Sequence, residues 1–481
     1  MRALPAIFVL STAVFCATRA VAQSQPWLGD RRLGGGIGVR AGNFELHPGI
    51  AGEVGYDSNF YQGAGRVTPA GQMVLIEPQF QPRSANGATI GNGGFFNEPS
   101  TGVLRFRVTP SLTLKTLGPQ RTQGDGAGAT PPKVSFSAEI SASYNELIAT
   151  DSNYSDEVQD DRFLSTELSA NAQILPQRPW GATLTGGFSR EVQPVNDPAL
   201  PPRFARDIFR AGAALNWRPG GGMLDWSLGY AMTYVMFESG DFSNFSSISH
   251  SAVLKGRWLF LPRTALLYWG DYGVLVYPNG GNVKSRGAPL SSRLGINGLI
   301  TNHFAALAVI GWKSMFFEQN GSFDSVVGNA ELTWYPLPRP DLAPDAAAVG
   351  LSAITVGYRR DASASYLGNY VQTDGGYAKS SYFFAGMFLV TLEAGIDHLQ
   401  RSPSYFSNQA RQSGPFSENR VNVTGFAEYR TSDTFGINTT LRYSANMTDQ
   451  IIPVSTNPAN DGYDDLSFDR IEAWLGVRWF L

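Results

Sequence analysis

A strict alternation of apolar and polar residues recurs along almost the whole chain, and it limits the possible folds more than any other feature. Between residues 104 and 115, for example, every even position is apolar or proline, beginning with Leu104, and every odd position is polar, beginning with Arg105. Successive side chains of a β-strand point to opposite faces, so such a segment predicts a strand with one apolar and one polar face. Eighteen segments carry this pattern: 44–56, 103–117, 133–146, 162–175, 180–192, 206–218, 223–237, 247–260, 265–277, 289–300, 304–317, 324–335, 351–360, 370–384, 387–399, 419–430, 434–446 and 467–481.

The connections between these segments alternate in length, which is a second and independent signal. Short connections such as 176–178 and 261–263 take turns with long ones such as 147–161 and 400–418. An even strand number, short periplasmic turns and long outer loops are typical of bacterial outer-membrane barrels. The sequence therefore predicts an all-β fold, a closed transmembrane antiparallel β-barrel of about 18 strands with both termini periplasmic.

Composition excludes the other membrane and non-globular classes. No long apolar block follows the first twenty residues, whereas a membrane-spanning helix needs roughly 20 apolar residues. Aromatic residues make up 12% of the chain, which is too many for a disordered protein. A soluble β-sandwich or propeller is disfavoured, since it would not expose eighteen apolar faces beside such polar loops. The formal net charge of -3 gives no reason to expect nucleic acid as a partner.

The termini predict targeting to the outer membrane of a Gram-negative bacterium. Residues 1–22 form a signal peptide with Arg2 at its start and the small-residue pattern Ala20-Val21-Ala22 at its end, so the single cysteine, Cys16, is removed with it. Residues 23–43 are a periplasmic lead-in, and 44–481 are the barrel. The last strand alternates up to Leu481, which is similar to the signal read by the barrel assembly machinery. Girdle aromatics that would contact outer-membrane lipid lie near segment ends: Trp180, Trp217, Tyr234, Trp258, Phe260, Phe304, Trp334, Tyr443 and Trp479.

The polar parity of the strands is expected to face a water-filled lumen. It carries twelve acidic and twelve basic residues, so no ring of one charge sign predicts an ion-selective pore. A barrel of 16 to 18 strands is wide enough to keep such charges hydrated. The candidate lumen-lining residues are Arg105, Arg107, Lys115, Glu139, Glu167, Arg210, Asp225, Lys255, Arg257, Asp271, Arg293, Lys313, Glu331, Arg359, Glu393, Arg442, Glu472 and Arg478.

No local motif points to catalysis, a metal or a cofactor. HExxH, GxSxG and paired Cys/His spacings do not occur in the sequence. We therefore predict a protein that is not an enzyme, with no cofactor and no metal. The acidic segments 151–161 and 457–465 could hold calcium, but solvated loops are the preferred interpretation. The longest connection, 57–102, carries an apolar stretch from Met73 to Phe80, and we hypothesise that it folds into the pore.

The first strand and its exit, Phe44 to Tyr61, read FELHPGIAGEVGYDSNFY. This segment resembles the opening of the second β-barrel porin family, outer-membrane β-barrels associated with exopolysaccharide export. The matching features are Pro48 within the strand and the Gly-Tyr-Asp-Ser-Asn turn at residues 55–59. The resemblance implies a polysaccharide cargo and a periplasmic polysaccharide-export protein as partner. The long connections 118–132 and 336–350 are then candidate docking surfaces for that partner.

Three functions remain open. The first is a channel for exopolysaccharide secretion, which only the resemblance suggests. The second is a general diffusion porin for small solutes. The third is a surface scaffold barrel that transports nothing.

Overall fold

The computed structural model shows a barrel of long antiparallel strands. It describes residues 38–63, 101–117, 133–192, 205–219, 222–238, 240–281, 284–319, 321–336, 352–366, 368–384, 387–406, 411–413, 415–432, 434–449, 451–453 and 463–481. The predicted signal peptide, most of the lead-in, most of the 57–102 connection and the predicted docking surfaces 118–132 and 336–350 lie outside these residues or contribute only their margins. In the described part of the chain, no helix is long and apolar enough to cross a membrane.

Eighteen long strands form the wall. They are β1 (Phe44–Asp57), β2 (Val103–Thr116), β3 (Val134–Ala149), β4 (Phe163–Ile174), β5 (Trp180–Val192), β6 (Ala205–Trp217), β7 (Leu224–Phe237), β8 (Ser247–Leu261), β9 (Thr264–Val276), β10 (Gly287–Leu299), β11 (Phe304–Phe317), β12 (Phe323–Trp334), β13 (Ser352–Ala364), β14 (Tyr370–Phe384), β15 (Phe388–Arg401), β16 (Phe416–Arg430), β17 (Phe435–Met447) and β18 (Phe468–Phe480). Each strand pairs with the next, and β18 pairs with β1 from Gly49↔Phe480 to Asp57↔Glu472. The predicted closed all-β barrel is confirmed, whereas the periplasmic position of the termini stays a prediction.

Short strands and helices lie in the connections at the two ends of the barrel. Val39–Ala41 folds back on β1 through Gly42, whose φ is +61°, so the end of the predicted lead-in is paired with the barrel. The acidic connection after β3 forms a 3-10 turn (Ser152–Tyr154) and a one-and-a-half-turn helix (Ser155–Asp160). The remaining elements are a 3-10 helix at Gly240–Phe245 and the two small hairpins Ser404–Phe406 with Arg411–Ser413 and Ile451–Pro453 with Tyr463–Asp465.

Several strands run two or more residues further than the alternation predicts, and these extensions lie at the end that carries the long connections. We call this end the loop end and the opposite one the turn end. β13 continues to Ala364, β3 to Ala149, and β16 begins at Phe416. The extensions of β15 and β16 have polar residues on both parities, Gln400-Arg401 and Ser417-Glu418, whereas that of β3 is apolar, Leu147-Ile148-Ala149. A strand beyond the hydrocarbon layer needs no apolar face, so its sequence loses the pattern that identifies it.

The apolar parity of the strands lies on the outside of the barrel. Large apolar side chains such as Ile310, Leu228 and Leu294 are well exposed along the middle of the wall. Trp180 and Trp217 lie side by side at the turn end, with ring centroids 5.9 Å apart, and Trp258, Trp334 and Trp479 are exposed at the same end. An apolar band with an aromatic girdle is the outer surface that lipid requires.

The polar parity lies on the concave side. Arg293 on β10 contacts Asp361 on β13 at 2.9 Å, although two strands separate them in the wall. Arg105 on β2 reaches Glu472 on β18 at 3.2 Å across the whole of β1. Side chains from strands that are not neighbours can meet only on the inner surface of a closed sheet. These contacts therefore identify the inward parity directly.

Candidate functional site: the inner wall

All eighteen candidate residues occupy the inward parity of their strands. The register connects them row by row, for example Asp225 to Arg257 across β7 and β8, and Glu393 to Lys379 across β15 and β14. Position on the inward parity does not make a side chain accessible, however. The wall divides into a densely packed side around β16–β18, β1 and β2, and a more open side elsewhere.

The closure between β1 and β18 brings several candidates into one buried network. Arg105 donates to Asp57 and Glu472, both at 3.2 Å. Arg470 donates to the same two carboxylates, at 2.9 Å to Asp57 Oδ1 and 3.0 Å to Glu472. Arg442 adds a contact to Glu472 at 3.0 Å. Three guanidinium groups thus share two carboxylates inside the wall, and these contacts hold the barrel closed.

The motif that carries the family resemblance belongs to this closure. Gly55 leaves space for the Trp474 ring of β18, which a Cβ at position 55 would overlap. Ser58 accepts the backbone N–H of Ile471 at 2.8 Å. Asn59 donates to the carbonyls of Gly63 and Asp469 at 2.8 and 2.9 Å. The Gly-Tyr-Asp-Ser-Asn segment thus forms a clasp, in which its side chains and its glycine join the first strand to the last one. These contacts give a structural reason for the residue types at positions 55–59.

Other candidates on the packed side are also paired within the wall. Arg107 donates to Glu53 at 2.7 Å and lies 4.1 Å from the centroid of the Trp474 ring. Arg478 pairs with Glu428, a residue on the predicted inner parity. Both members of this second pair are buried. In the closure region, the charged side chains therefore form ion pairs that link the strands of the wall to one another.

Sequence reasoning missed a further buried pair at the loop end. Arg401 donates to Glu418 at 2.6 Å, and both side chains are 0% exposed. Arg420 and Asn446 also contact Glu418, at 3.3 and 3.0 Å. Arg401 and Glu418 fall just outside the predicted segments 387–399 and 419–430, because the alternation fades at these strand ends. The sequence signal that could have predicted this pair is the opposite charge of Arg401 and Glu418 near the facing ends of two adjacent strands.

On the more open side, pairs of opposite charge remain in contact with solvent. Arg293 and Lys313 share Asp361, at 2.9 and 3.1 Å. Arg359 binds Asp397 through both carboxylate oxygens, at 3.0 and 2.8 Å. Asp361 lay one residue beyond the predicted strand 351–360 and was missed for that reason. The carboxylate that two predicted bases share was therefore outside the predicted set.

The remaining candidates are spread along the wall and do not form one cluster. Arg210 donates to Ser189 at 3.0 Å, Arg218 contacts Asp225 at 3.3 Å, and Ser291 donates to Asp271. The others have the following places: Lys115 lies across from Glu45, Glu139 from Thr113, Glu167 from Ser189, Lys255 from Ser227, Arg257 from Asp225, and Glu331 accepts from Tyr377.

The four histidines are distributed over separate parts of the barrel. His47 contacts Glu45 at 3.3 Å on the inner parity. His250, on the outer parity as predicted, is 2.6 Å from the Tyr230 hydroxyl. His303 contacts the carbonyl of Tyr335, and His398 the side chain of Asn419. Each imidazole has a local structural contact.

At the loop end, connections from distant strands meet over the barrel. Phe245, after β7, packs edge-on against Tyr366, after β13, with ring centroids 4.2 Å apart. Lys284, after β9, donates to the carbonyls of Ser365 and Gly368 after β13. Asn369 donates to the Gln319 carbonyl after β11 at 2.6 Å. These loops fold across one side of the barrel mouth; we call the assembly the loop cluster.

The electrostatics of the loop cluster centre on Lys284. Its amine is buried and lies 5.5 and 5.8 Å from the rings of Phe245 and Tyr277. Burial, and secondarily the charge of Arg401, lowers the pKa of Lys284 to about 7. Burial also raises the pKa of the Tyr277 phenol, which therefore stays neutral beside it. Neither residue was singled out from the sequence, since irregular loops carry no periodic signal.

Comparisons with known proteins find likeness in architecture only. No family model and no curated protein sequence matches the chain. OpdQ of Pseudomonas aeruginosa matches over 91% of this chain and 97% of its own, with 12% identity and a TM-score of 0.40. OccK7 (OpdD) of the same species matches over 92% and 99%, with 10% identity and a TM-score of 0.42. The FrpB iron transporter of Neisseria meningitidis (F5-1 variant) matches over 92% and 82%, with 7% identity and a TM-score of 0.44.

The barrel's own surfaces determine where it resides. A closed sheet pairs the backbone groups of its strands within the wall, as the hydrocarbon layer demands. The outer face is apolar with an aromatic girdle, and the inner face is polar and charged. Eighteen strands enclose a channel-sized interior. The chain is an outer-membrane β-barrel of a Gram-negative bacterium.

Proposed function

We propose that the barrel is the outer-membrane channel for a secreted exopolysaccharide, and that it works with a periplasmic polysaccharide-export protein. The observation that carries the proposal is the pairing of opposite charges on the open side of the inner wall. Arg359 with Asp397, and Lys379 with Glu393, present donors and acceptors together with little net charge.

Such a wall suits a hydrated polymer better than an ion. A ring of one charge sign would concentrate counter-ions and select for them. Paired charges still exchange hydrogen bonds with hydroxyl groups, but their fields largely cancel a short distance away. Hydroxyl side chains in the same row as Lys379 and Glu393, namely Thr333 and Thr355 at 2.9 Å, extend this polar surface. A long chain can slide over many weak contacts without being held at one of them.

The sequence resemblance supplies the cargo class. The clasp at residues 55–59 is the segment similar to the second β-barrel porin family, whose members accompany exopolysaccharide synthesis. The partner would bind at the periplasmic end, where the connections 118–132 and 336–350 are our candidate docking surfaces. The barrel assembly machinery would insert the chain through its last strand, β18.

Deletion of the gene in the native bacterium tests the proposal. We expect surface polysaccharide to be lost while the synthesis enzymes remain active, and a plasmid copy of the wild-type gene to restore it. Normal surface polysaccharide in the deletion strain would overturn the proposal. Synthase activity in membrane fractions serves as the control for an indirect loss of polymer production.

The two alternatives predict different phenotypes. A general diffusion porin gives slower uptake of small solutes on deletion, with unchanged surface polymer. A scaffold barrel gives neither an uptake nor an export defect, and the purified protein gives no conductance in a planar bilayer.

A further inference from the structure

Tyr377 occupies an unusual position on the inner wall of β14. The residues directly across from it are Gly357 on β13 and Gly395 on β15, so neither neighbouring strand raises a side chain beside its ring. The ring lies over Gly357, where a Cβ would overlap it. Its hydroxyl donates to Glu331 on β12. The phenol is thus pinned against the backbone of the wall by one face, and the opposite face is directed to the barrel interior.

Two ion pairs border this ring along the barrel axis. Toward the loop end, Arg359 holds Asp397 at 2.8 Å, and the guanidinium side chain is 42% exposed. Toward the turn end, Lys379 holds Glu393 at 2.9 Å, with side chains 51% and 59% exposed. The Lys379 amine is also 5.4 Å from the Tyr377 ring centroid. The ring therefore has one ion pair on each side along the axis, with the Lys379 amine placed over the ring itself, and the two pairs add no net charge.

A second aromatic residue on the inner wall shows what a purely structural ring looks like. Trp474 lies over Gly55 in the same manner as Tyr377 over Gly357. The guanidinium carbons of Arg105 and Arg107 lie 4.8 and 4.1 Å from its centroid, and the residue is only 5% exposed. Trp474 is enclosed by the wall, whereas Tyr377 is half-buried and the side chains of Arg359, Lys379 and Glu393 beside it are exposed.

The arrangement around Tyr377 matches the surface of a sugar. A pyranose ring has an apolar C–H face, which packs on the face of an aromatic ring, and a rim of hydroxyls that both donate and accept hydrogen bonds. Hydrogen bonds to charged partners are stronger than neutral ones, so Lys379 and Glu393 can donate to and accept from adjacent hydroxyls of the sugar. An anionic ligand would be attracted by the basic side chain of each pair and repelled by the acidic one, so the pairs would not favour its binding.

We propose that Tyr377, bordered by Lys379–Glu393 and Arg359–Asp397, is a stacking subsite for one neutral pyranose unit of a polymer passing through the channel. This deepens the proposed function and rests on it for the polymer, while the subsite chemistry stands on the geometry alone. Stacking of one sugar unit would hold the polymer only briefly, so the polymer would advance over this ring one sugar unit at a time.

Current block in planar bilayers tests the subsite with purified full-length protein. The neutral probes are maltohexaose and cellohexaose, and hexagalacturonate is the anionic probe. We expect at least one neutral probe to give resolved blocks in the wild type, longer than those of hexagalacturonate. Tyr377→Ala should shorten the neutral block by about tenfold, which equals a loss of about 1.4 kcal/mol.

Two further variants keep the test decisive if Tyr377→Ala inserts poorly. Tyr377→Phe retains the stacking face and should keep most of the block time. The double variant Lys379→Met/Glu393→Gln changes exposed side chains only and should shorten the block several-fold. The matched control is Tyr358→Ala, since Tyr358 lies on the adjacent strand with its side chain on the lipid face and 50% exposed; its block time should equal the wild-type value.

Three results would overturn the subsite: no block by either neutral probe in the wild type, equal block times in wild type and Tyr377→Ala, or longer blocks by hexagalacturonate. The outcome is separable from that of the proposed function. If deletion abolishes surface polymer but Tyr377→Ala leaves block times unchanged, export stands and the subsite fails. If deletion leaves surface polymer intact while the blocks behave as expected, the subsite stands and the export role fails.

Discussion

The buried amine of Lys284 makes the stability of the loop cluster depend on pH in an unusual direction. In the unfolded chain a lysine has its ordinary pKa of 10.5, but burial lowers the value to about 7 in the folded protein. Between these values the unfolded state binds the proton and the folded state does not. The free energy of unfolding therefore rises as the pH rises through this window, and is independent of this group below it.

The size of the effect follows from the two pKa values. Each pH unit within the window adds about 1.4 kcal/mol to the free energy of unfolding. From about pH 7 to about pH 10 the lysine thus contributes about 4 kcal/mol. The neutral amine can still donate to the carbonyls of Ser365 and Gly368, so the loop contacts survive the loss of the charge.

Equilibrium unfolding in urea measures this contribution when the wild type is compared with two variants. Lys284→Met never carries the charge, and Lys284→Arg carries it at every pH in the range. We expect the wild type to gain about 4 kcal/mol relative to both variants between about pH 7 and about pH 10. Other titrating groups cancel in the comparison, since all three proteins share them. Parallel stability curves for the three proteins would refute the reasoning.

Two further predictions concern the packed side of the wall. Glu418→Ala removes the carboxylate that Arg401 contacts at 2.6 Å in a fully buried site, and it should lower the free energy of unfolding by about 3–5 kcal/mol; the double variant Arg401→Met/Glu418→Leu should lie close to the wild type in urea unfolding. A double variant as unstable as the single one would contradict this. Gly55→Val places side-chain atoms where the Trp474 ring lies, so it should reduce the fraction of heat-modifiable folded barrel on gels; an unchanged folded fraction would show that the ring can move away.

Much of the fold could be predicted because one physical rule acts on every strand. Lipid on one side and water on the other impose a period of two, and the rule identified even the segment 370–384, where Gly375 and Gly376 blur the pattern. The same rule assigns Arg105 and Glu393 to one parity, and both side chains lie on the concave side of the wall. It could not distinguish them, since Arg105 is buried in the closure and Glu393 is exposed.

The missed features depend on contacts that no local pattern contains. Asp361 joins Arg293 from a strand three positions away in the barrel, and it lies one residue past the predicted segment 351–360. Lys284 becomes buried only because loops from separate parts of the chain converge on it. Such contacts follow from the curvature of the closed wall and from loop packing, which single-sequence periodicity does not encode.

The central claim is that polysaccharide passes through the inside of this barrel, and photo-crosslinking in living cells tests it most directly. The residue p-benzoyl-phenylalanine would replace Lys379 on the inner wall or, as control, Tyr358 on the lipid face. In cells that export polymer, we expect irradiation to attach polysaccharide covalently to the barrel at position 379 and not at 358. Normal surface polymer with no attachment at position 379, or equal attachment at both positions, would contradict the account.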